Sequence, residues 1–282
     1  VTRAKGRKVK EATNQYILNW IDENILSIAS VQPIVEKTGF SRRTIEYWFK
    51  QRYRLSPGEY LLVRRISYAA SLLRMTSLPV IDISNMFQYH SSQGFARAFK
   101  KVTGKTPSEY RNAPSWDFSR YQPSLTLENM GVPEVSFCEL NESFRYSHRV
   151  TDYDHIFNPN IKDVTKRIRK LLIENKGSVE MIAISGRRPE AINKSMGHFA
   201  EVTIDYIPSS GAGENMRNHT LGGKYAKMSF DGDWETYGKK NKMLYIWTMA
   251  KHRLSVRDEP HLMQFRQFSE NKVSYDIYIP II

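Results

Sequence analysis

Apolar positions repeat at helical spacing through residues 1–112 and at the alternating spacing of strands through much of the chain beyond residue 125. Val31, Ile34 and Val35 mark a short helix. Gly39 supplies a turn where positive φ is often needed, and Ser41 is a good N-cap for a second helix running to about Arg52. Ile45 and Phe49 share one face of that helix, while Arg42, Arg43, Glu46, Tyr47 and Lys50 fall on its other faces. Val80, Ile83 and Phe87 mark another short helix. A further one runs from about Ser92 to Val102, with Phe95 and Phe99 inward and Ser92, Gln93, Arg97 and Lys100 outward. Between the two pairs lies a longer helix, Pro57 to about Arg74, carrying Leu61, Leu62, Ile66, Ala69, Ala70, Leu72 and Leu73 as its apolar positions. At 1.5 Å per residue it is about 27 Å long.

These elements are two copies of one unit. Ser41 matches Ser91, Ile45–Lys50 matches Phe95–Lys100, and Ser56–Tyr60 matches Thr106–Tyr110, at an offset of 50 throughout. Ser56-Pro57-Gly58-Glu59 and Thr106-Pro107-Ser108-Glu109 are both capping boxes with proline at the first helical position. Helix, turn, helix, twice over, is the pattern that places a recognition helix in a DNA major groove. A rod of this length suits two recognition helices in successive grooves, roughly 34 Å apart. The second turn, Gln88-Tyr89-His90-Ser91, lacks glycine and is one residue longer than the first.

Charge points the same way. Residues 1–112 carry 19 Lys and Arg against 8 Asp and Glu, whereas the remainder carries 23 against 21. Most of the net +13 therefore sits with the repeat, as a polyanion partner requires, although a solvated basic surface gives the same count. The segment Arg3 to Lys10 reads as a basic arm, unstructured without DNA.

On Gln93–Lys101, Gly104–Arg111, Gly39-Phe40-Ser41 and the connecting helix, residues 10–112 resemble the tandem helix-turn-helix domain of the AraC/XylS family of transcription regulators. Gln88 stands where that family usually has glycine. The resemblance implies base-reading roles for Arg43, Glu46 and Tyr47 in the first recognition helix and for Ser92, Gln93, Ala96 and Arg97 in the second. Arg43 and Arg97 suit guanine, Gln93 adenine, Glu46 cytosine, and Ala96 a thymine methyl. Arg42, Lys50, Lys100 and Lys101 suit phosphates. Each charge also reads as a solvated face. Trp48 is expected in or near the core and Arg65 in a structural role.

Residues 113–124 read as a linker, and residues 125–282 as a second domain. Strands are expected at Val135–Leu140, Phe144–Thr151, Val179–Ser185, Phe199–Ile207, Gly223–Phe230 and Val273–Ile279, with another around Leu262–Phe265. Helices are expected around Ile161–Leu172 and Trp234–Ala250. The order predicts an α+β domain of two β-α-β-β halves behind an all-α tandem helix-turn-helix domain. Leu221–Gly232, the helix ending in Tyr245-Ile246-Trp247, and Ile277–Ile281 resemble the GyrI-like effector-binding domain, and the two domains together resemble the Rob branch of the AraC family. In that fold a cleft between the halves takes small molecules, which makes Tyr225, Trp247, Met263, Phe265 and Tyr278 cleft candidates; plain core packing is the other reading of each. Relatives that take cations use a buried Glu where Met263 stands here. A thioether does not stabilise a buried cation, so a neutral or anionic amphipathic molecule is the expected ligand, if there is one.

Catalytic chemistry is not visible. Seven histidines are scattered without metal-ligand spacing, and the lone Cys138 sits in an apolar strand pattern as a buried, inert thiol. Asp152-Tyr153-Asp154-His155 reads as a polar loop rather than a metal cluster, ahead of a turn at Asn158-Pro159-Asn160. No cofactor and no metal is expected. No apolar run reaches the ~20 residues of a membrane span, and the N-terminus lacks a secretory pattern. The expected partners are double-stranded DNA and RNA polymerase, in a bacterial cytoplasm at the nucleoid, without a membrane; a monomer suffices because one chain carries two reading heads. The leading reading is a transcription regulator, most simply an activator. An architectural or origin-binding DNA protein, and an enzyme in the C-terminal domain, are the alternatives.

Overall fold

A computed structural model of the chain describes residues 2–27, 30–126, 134–155, 163–175, 179–189, 199–208 and 216–282. The expected turn at Asn158–Asn160, and Ile161, lie outside these. The chain forms two compact units. One comprises residues 1–71, 79–109 and 121–130; the other comprises 72–78, 110–120 and 131–282.

The first unit is helical. Helix α1 (Thr2–Glu23) is followed by α2 (Gln32–Thr38), α3 (Arg42–Tyr53), α4 (Pro57–Met75), α5 (Val80–Met86), α6 (Ser92–Thr103) and α7 (Pro107–Arg111); residues 72–75 at the end of α4 and 110–111 at the end of α7 belong to the second unit. The segment read as an unstructured arm is instead the start of α1. That helix has an apolar stripe, Ile17, Leu18 and Ile21, packed with Ile34, Val35, Ile45, Phe49, Tyr60 and Leu61, and this anchor carries the helix through its polar N-terminal turns. Both capping boxes form. The Ser56 and Thr106 amides donate to Glu59 and Glu109 at 2.7 Å, and the Glu59 and Glu109 amides donate back to the two hydroxyls at 3.3 Å. Along α4, Leu61, Ile66, Ala69, Ala70, Leu72 and Leu73 are buried as expected, whereas Leu62 is half-buried.

A mostly enclosed charge fastens α1 to α4. Asp22 accepts from Arg64 Nε at 2.9 Å, from the Tyr60 hydroxyl at 3.1 Å and from Ser124 Oγ. Arg64 also donates to the Gln122 carbonyl. Arg65 is buried and donates to the Ile25 carbonyl, the structural role expected of it.

The second unit is mostly β. Strands β2 (Val135–Leu140), β4 (His148–His155), β5 (Met181–Arg187), β6 (Phe199–Tyr206), β8 (Gly223–Asp233), β10 (His261–Phe268) and β11 (Lys272–Pro280) form one antiparallel sheet in the order β2-β8-β11-β10-β5-β6-β4. Two small antiparallel pairs complete it: β1 (Ser115–Asp117) with β9 (Ser255–Arg257), and β3 (Ser143–Tyr146) with β7 (Arg217–Thr220). Helix α8 (Asp163–Glu174) lies between β4 and β5, and α9 (Trp234–Lys251) between β8 and β9. Strand β1 falls within the stretch expected as a linker.

Alternation along the strands builds two cores. Met263, Phe265, Phe230 and Tyr275 pack with Ile168, Leu171 and Leu172 of α8 and with Trp234 and Tyr237 of α9. Leu262 and Ala183 turn the other way and pack with Phe144, Tyr146 and Leu221. This second core explains why the single strand expected over Phe144–Thr151 is two: β3 leaves the main sheet to cover it, and the chain rejoins at Ser147, whose amide donates to the Tyr206 carbonyl. Asp152–His155 is strand rather than loop, with Asp152 paired to Arg167 at 3.3 Å, and no group of metal-binding side chains occurs among the described residues. Cys138 is half-buried on the edge strand β2, not enclosed, because no strand pairs beyond it. Among the described residues no helix is long and apolar enough to cross a membrane.

Two half-buried side chains, Asp22 of α1 and His261 of β10, have measurable effects on stability. Replacing Asp22 with Asn leaves the Arg64 charge enclosed without its counter-ion, and chemical denaturation of this variant is expected to show a loss of about 3 kcal/mol. Burial of His261 pushes its pKa down from 6.5 to about 4. The unfolded chain therefore takes up a proton near pH 6.5 that the folded chain refuses until about pH 4. Stability is expected to fall as pH drops through that window, by up to about 3 kcal/mol from this group. His261→Gln should flatten the slope there in pH-dependent denaturation.

Candidate nucleic-acid interface

Helices α3 and α6 are built alike. Ser41 Oγ accepts from the Thr44 amide at 3.2 Å, and Ser91 Oγ accepts from the Gly94 amide at 3.1 Å, so each helix begins on a serine cap. A β-carbon at Gly94 would come 3.2 Å from that Ser91 oxygen, so glycine at this position leaves the cap uncrowded. Ile45 and Phe49, and Phe95 and Phe99, are fully buried. Burying those positions turns the rest of each helix outward. Each helix ends on a left-handed residue, Arg54 at φ 64° and Gly104 at φ 84°.

The outward positions of α3 are 42, 43, 46, 47 and 50, and those of α6 are 92, 93, 96, 97 and 100. These are the same five sites of the repeat, filled differently: Arg42 and Ser92, Arg43 and Gln93, Glu46 and Ala96, Tyr47 and Arg97, and finally lysine at both Lys50 and Lys100. Arg43, Tyr47, Gln93, Arg97, Lys50, Lys100 and Lys101 are exposed, and Glu46, Ser92 and Ala96 are half-buried at the helix flanks. Arg42 and Glu46, expected to meet phosphate and base respectively, meet each other at 2.8 Å. An exposed pair one helical turn apart is worth only about 0.3–0.5 kcal/mol, so DNA can separate it.

Two features were missed in the sequence. Lys10 of α1 sits over the Tyr47 ring, 5.8 Å from its centroid, and the Asn14 side chain donates to the Trp48 carbonyl at 3.1 Å. Helix α1 thus flanks the first recognition helix and adds cations beside it; the apolar stripe Ile17–Ile21 was the signal. Trp48 is half-buried against Phe40, as expected. The second is Gln88. It adopts φ 61°, the left-handed conformation that Gly39 adopts at φ 70° in the first turn. The fold thus imposes the glycine geometry on a residue with a β-carbon. Tyr89 and His90 then carry the chain to the Ser91 cap, the extra residue seen in the sequence.

The five cleft candidates are not brought together. Met263 and Phe265 lie on the sheet face covered by α8 and α9, and Met263 accepts a hydrogen bond from the Tyr237 hydroxyl. Tyr278 pairs with Leu262 across the strands and packs with the opposite core, and Tyr225, which alternates with Phe230 along β8, lies on that opposite face beneath the Arg257 guanidinium. Trp247 is buried on α9 with the Lys251 ammonium 4.5 Å from its ring centroid.

Two serine-capped helices, each after a short helix and a left-handed turn, with basic residues outward, define a helix-turn-helix DNA-binding protein. A family model described as a helix-turn-helix domain matches residues 34–113. The chain is similar to the F1 operon positive regulatory protein of Yersinia pestis, with 28% identity over 97% of this chain and 89% of that protein. It is similar to the regulatory protein SoxS of Salmonella typhimurium, with 35% identity over 35% of this chain and 92% of that protein. It is also similar to the right origin-binding protein of Escherichia coli (strain K12), with 32% identity over 45% of this chain, spanning only 44% of that protein. The chain belongs to the AraC/XylS family of DNA-binding transcription regulators, which are not enzymes.

Relief of the Gln88 strain is measurable. Gln88→Gly is expected to raise stability by about 0.5–1 kcal/mol in thermal or chemical denaturation, since relief of the left-handed strain outweighs the freedom glycine adds to the unfolded chain and the loss of a weak contact with the Leu26 carbonyl, 3.4 Å.

Proposed function

We propose that this regulator reads two unlike half-elements in successive major grooves, and that its second unit senses a small molecule. The observation that carries the first part is the five-position frame shared by α3 and α6. Lysine is common to both copies and serves phosphate, which needs no sequence information. The other four positions differ, and every residue at them except Arg42 is assigned to bases: Arg43, Glu46 and Tyr47 in one helix, and Ser92, Gln93, Ala96 and Arg97 in the other. Arg42 and Lys101 join Lys50 and Lys100 in holding the backbone. Such a site is asymmetric and needs no second chain.

The β-sheet unit supports the GyrI-like reading through its connectivity. The run β4-α8-β5-β6 appears in the sheet as β4-β6-β5, and the run β8-α9-β10-β11, which also includes the short β9, as β8-β11-β10. Two β-α-β-β halves therefore meet at the β5–β10 pair. This favours domains at 1–112 and 125–282 joined by 113–124, and a ligand-sensing second domain. The resemblance to a positive regulatory protein favours activation, with RNA polymerase as protein partner, in the bacterial cytoplasm. Met263, packed among Ile168, Leu171 and Phe265 at the position where relatives that take cations carry glutamate, disfavours a cationic ligand. The similarity to an origin-binding protein keeps an architectural role as the second reading.

Selection from a random duplex library at about 150 mM salt distinguishes the two. An enriched site with two dissimilar half-elements about one turn apart is expected; salt-sensitive binding without an enriched sequence would favour the architectural role. Arg43→Ala and Arg97→Ala should each cost about 1–3 kcal/mol and relax one half-element only. Lys100→Ala should weaken all sequences alike and reduce the salt slope by about one.

A further inference from the structure

A cavity of about 690 Å³ opens in the second unit, and every residue that lines it belongs to that unit. Its size suits a drug-sized molecule. Five arginines line it: Arg74, Arg111, Arg187, Arg188 and Arg257. Two have carboxylate partners, Arg187 with Glu201 at 2.7 Å and Arg257 with Glu259 at 3.1 Å. The guanidiniums of Arg74 and Arg111 are held by backbone carbonyls instead, Arg74 by those of Arg111 and Ala113, and Arg111 by those of Leu73 and Leu78. Carbonyls fix these groups without neutralising them. Arg188 is exposed at the rim, and its charge disfavours a second charge on Arg111 beside it, an effect smaller than that of burial.

Three donors inside the wall lack hydrogen-bond partners: the enclosed Trp116 indole N–H, and the Nε and Nη2 of Arg257, the last of which meets Glu259 only as an ion pair. Space for the Arg257 guanidinium exists only because residue 223 is glycine: a β-carbon there would lie 2.2 Å from Nη1. The rest of the lining is mixed: Asn112, Ser185, Asp258 and Glu259 are polar, and Trp116 and Tyr245 add flat aromatic faces. Tyr245 stands 5.2 Å from the His261 ring, centroid to centroid, and Trp116 stands 6.5 Å from Tyr245. His261, kept neutral at pH 7 by burial, adds no charge of its own.

We propose that this cavity is a binding site for a small aromatic anion, with a carboxylate or phosphate head on the arginines and its ring against Trp116 and Tyr245. Uncompensated guanidinium charge, open donors and aromatic walls converge on that class and on no cation. The site deepens the reading of the second unit as a sensor and rests on it. It is separate from the Met263–Phe265 face. Arg74 and Met75 in its wall form the last turn of α4, the helix that joins the two helix-turn-helix copies. Gly186 lets that turn approach β5, since a β-carbon there would lie 2.8 Å from Met75 Cε.

Calorimetric titration of the full chain with 2-naphthoate, 2-naphthyl phosphate and the neutral 2-naphthamide tests this. Saturable binding of at least one anion is expected, about tenfold or more tighter than the amide. Preference between the two anions identifies the head group. Arg188→Gln, which alters only an exposed side chain, and Trp116→Phe, which keeps a ring and removes the donor, should each weaken the anion about tenfold. Arg266→Gln, outside the cavity, should not. Equal affinity for the amide, indifference to both variants, or no saturable binding of either anion would overturn the proposal. Repeating DNA binding with the anion present separates the two readings: tight anion binding that leaves DNA affinity and promoter activity unchanged removes the sensor role and keeps the site.

Discussion

The DNA-binding half depends on burying two residues one helical turn apart in each recognition helix. Ile45 with Phe49, and Phe95 with Phe99, are withdrawn fully from solvent. Their burial fixes the rotation of each helix about its axis, and that rotation decides which side chains face outward. A serine cap fixes where each helix starts, and a left-handed turn fixes how it leaves its predecessor. With start, direction and rotation set by buried or backbone groups, the outward residues are free to change without cost to the fold. This is why the repeat keeps its capping residues and Phe49/Phe99 but not the residues at its outward positions.

Most of this half was legible because its signals are local. Caps, capping boxes and i,i+4 apolar pairs act within a few residues, and an offset of 50 shows them twice. What escaped was set by distant contacts. The basic Arg3–Lys10 segment looks unstructured in isolation; it is helical because Ile17, Leu18 and Ile21 further along α1 dock onto α2, α3 and α4. Gln88 stands at a glycine position of the resemblance, but its own side chain does not signal the positive φ that the structure shows there. In the β half, strands were visible by composition, but which face each residue takes depends on register. Met263 and Tyr278 read alike as aromatic or apolar cleft residues, yet the pairing of Leu262 with Tyr278 puts them on opposite sides of the sheet. The division of Phe144–His155 into two strands has the same origin, because the core around Leu262 needs a cover that the main sheet does not supply.

The two halves use arginine in opposite ways. On α3 and α6 the basic side chains are exposed and well hydrated, so their attraction for DNA is long-ranged, weakened by salt and easily exchanged. Even the Arg42–Glu46 pair is loose enough to be broken by a phosphate. In the β unit, Arg74 and Arg111 are pinned by carbonyls and Arg257 is wedged between Gly223 and the Tyr225 ring. Pinned guanidiniums lose little freedom when an anion arrives. The same residue type therefore gives tolerant, mobile contact in one unit and preorganised contact in the other.

That contrast bears on how a ligand could act at all. A bound molecule shifts an equilibrium only by its difference in affinity between two states of the protein. An anion held by Arg74 touches the last turn of α4, and α4 is continuous with the capping box that starts it at Ser56 and Glu59, directly behind the first recognition helix. In the proposed reading, where α4 spaces the two recognition helices about one DNA turn apart, its end would be the most economical place for a ligand to bias that spacing. On that reading Arg74, at the end of α4, would both hold the Arg111 and Ala113 carbonyls and meet the anion.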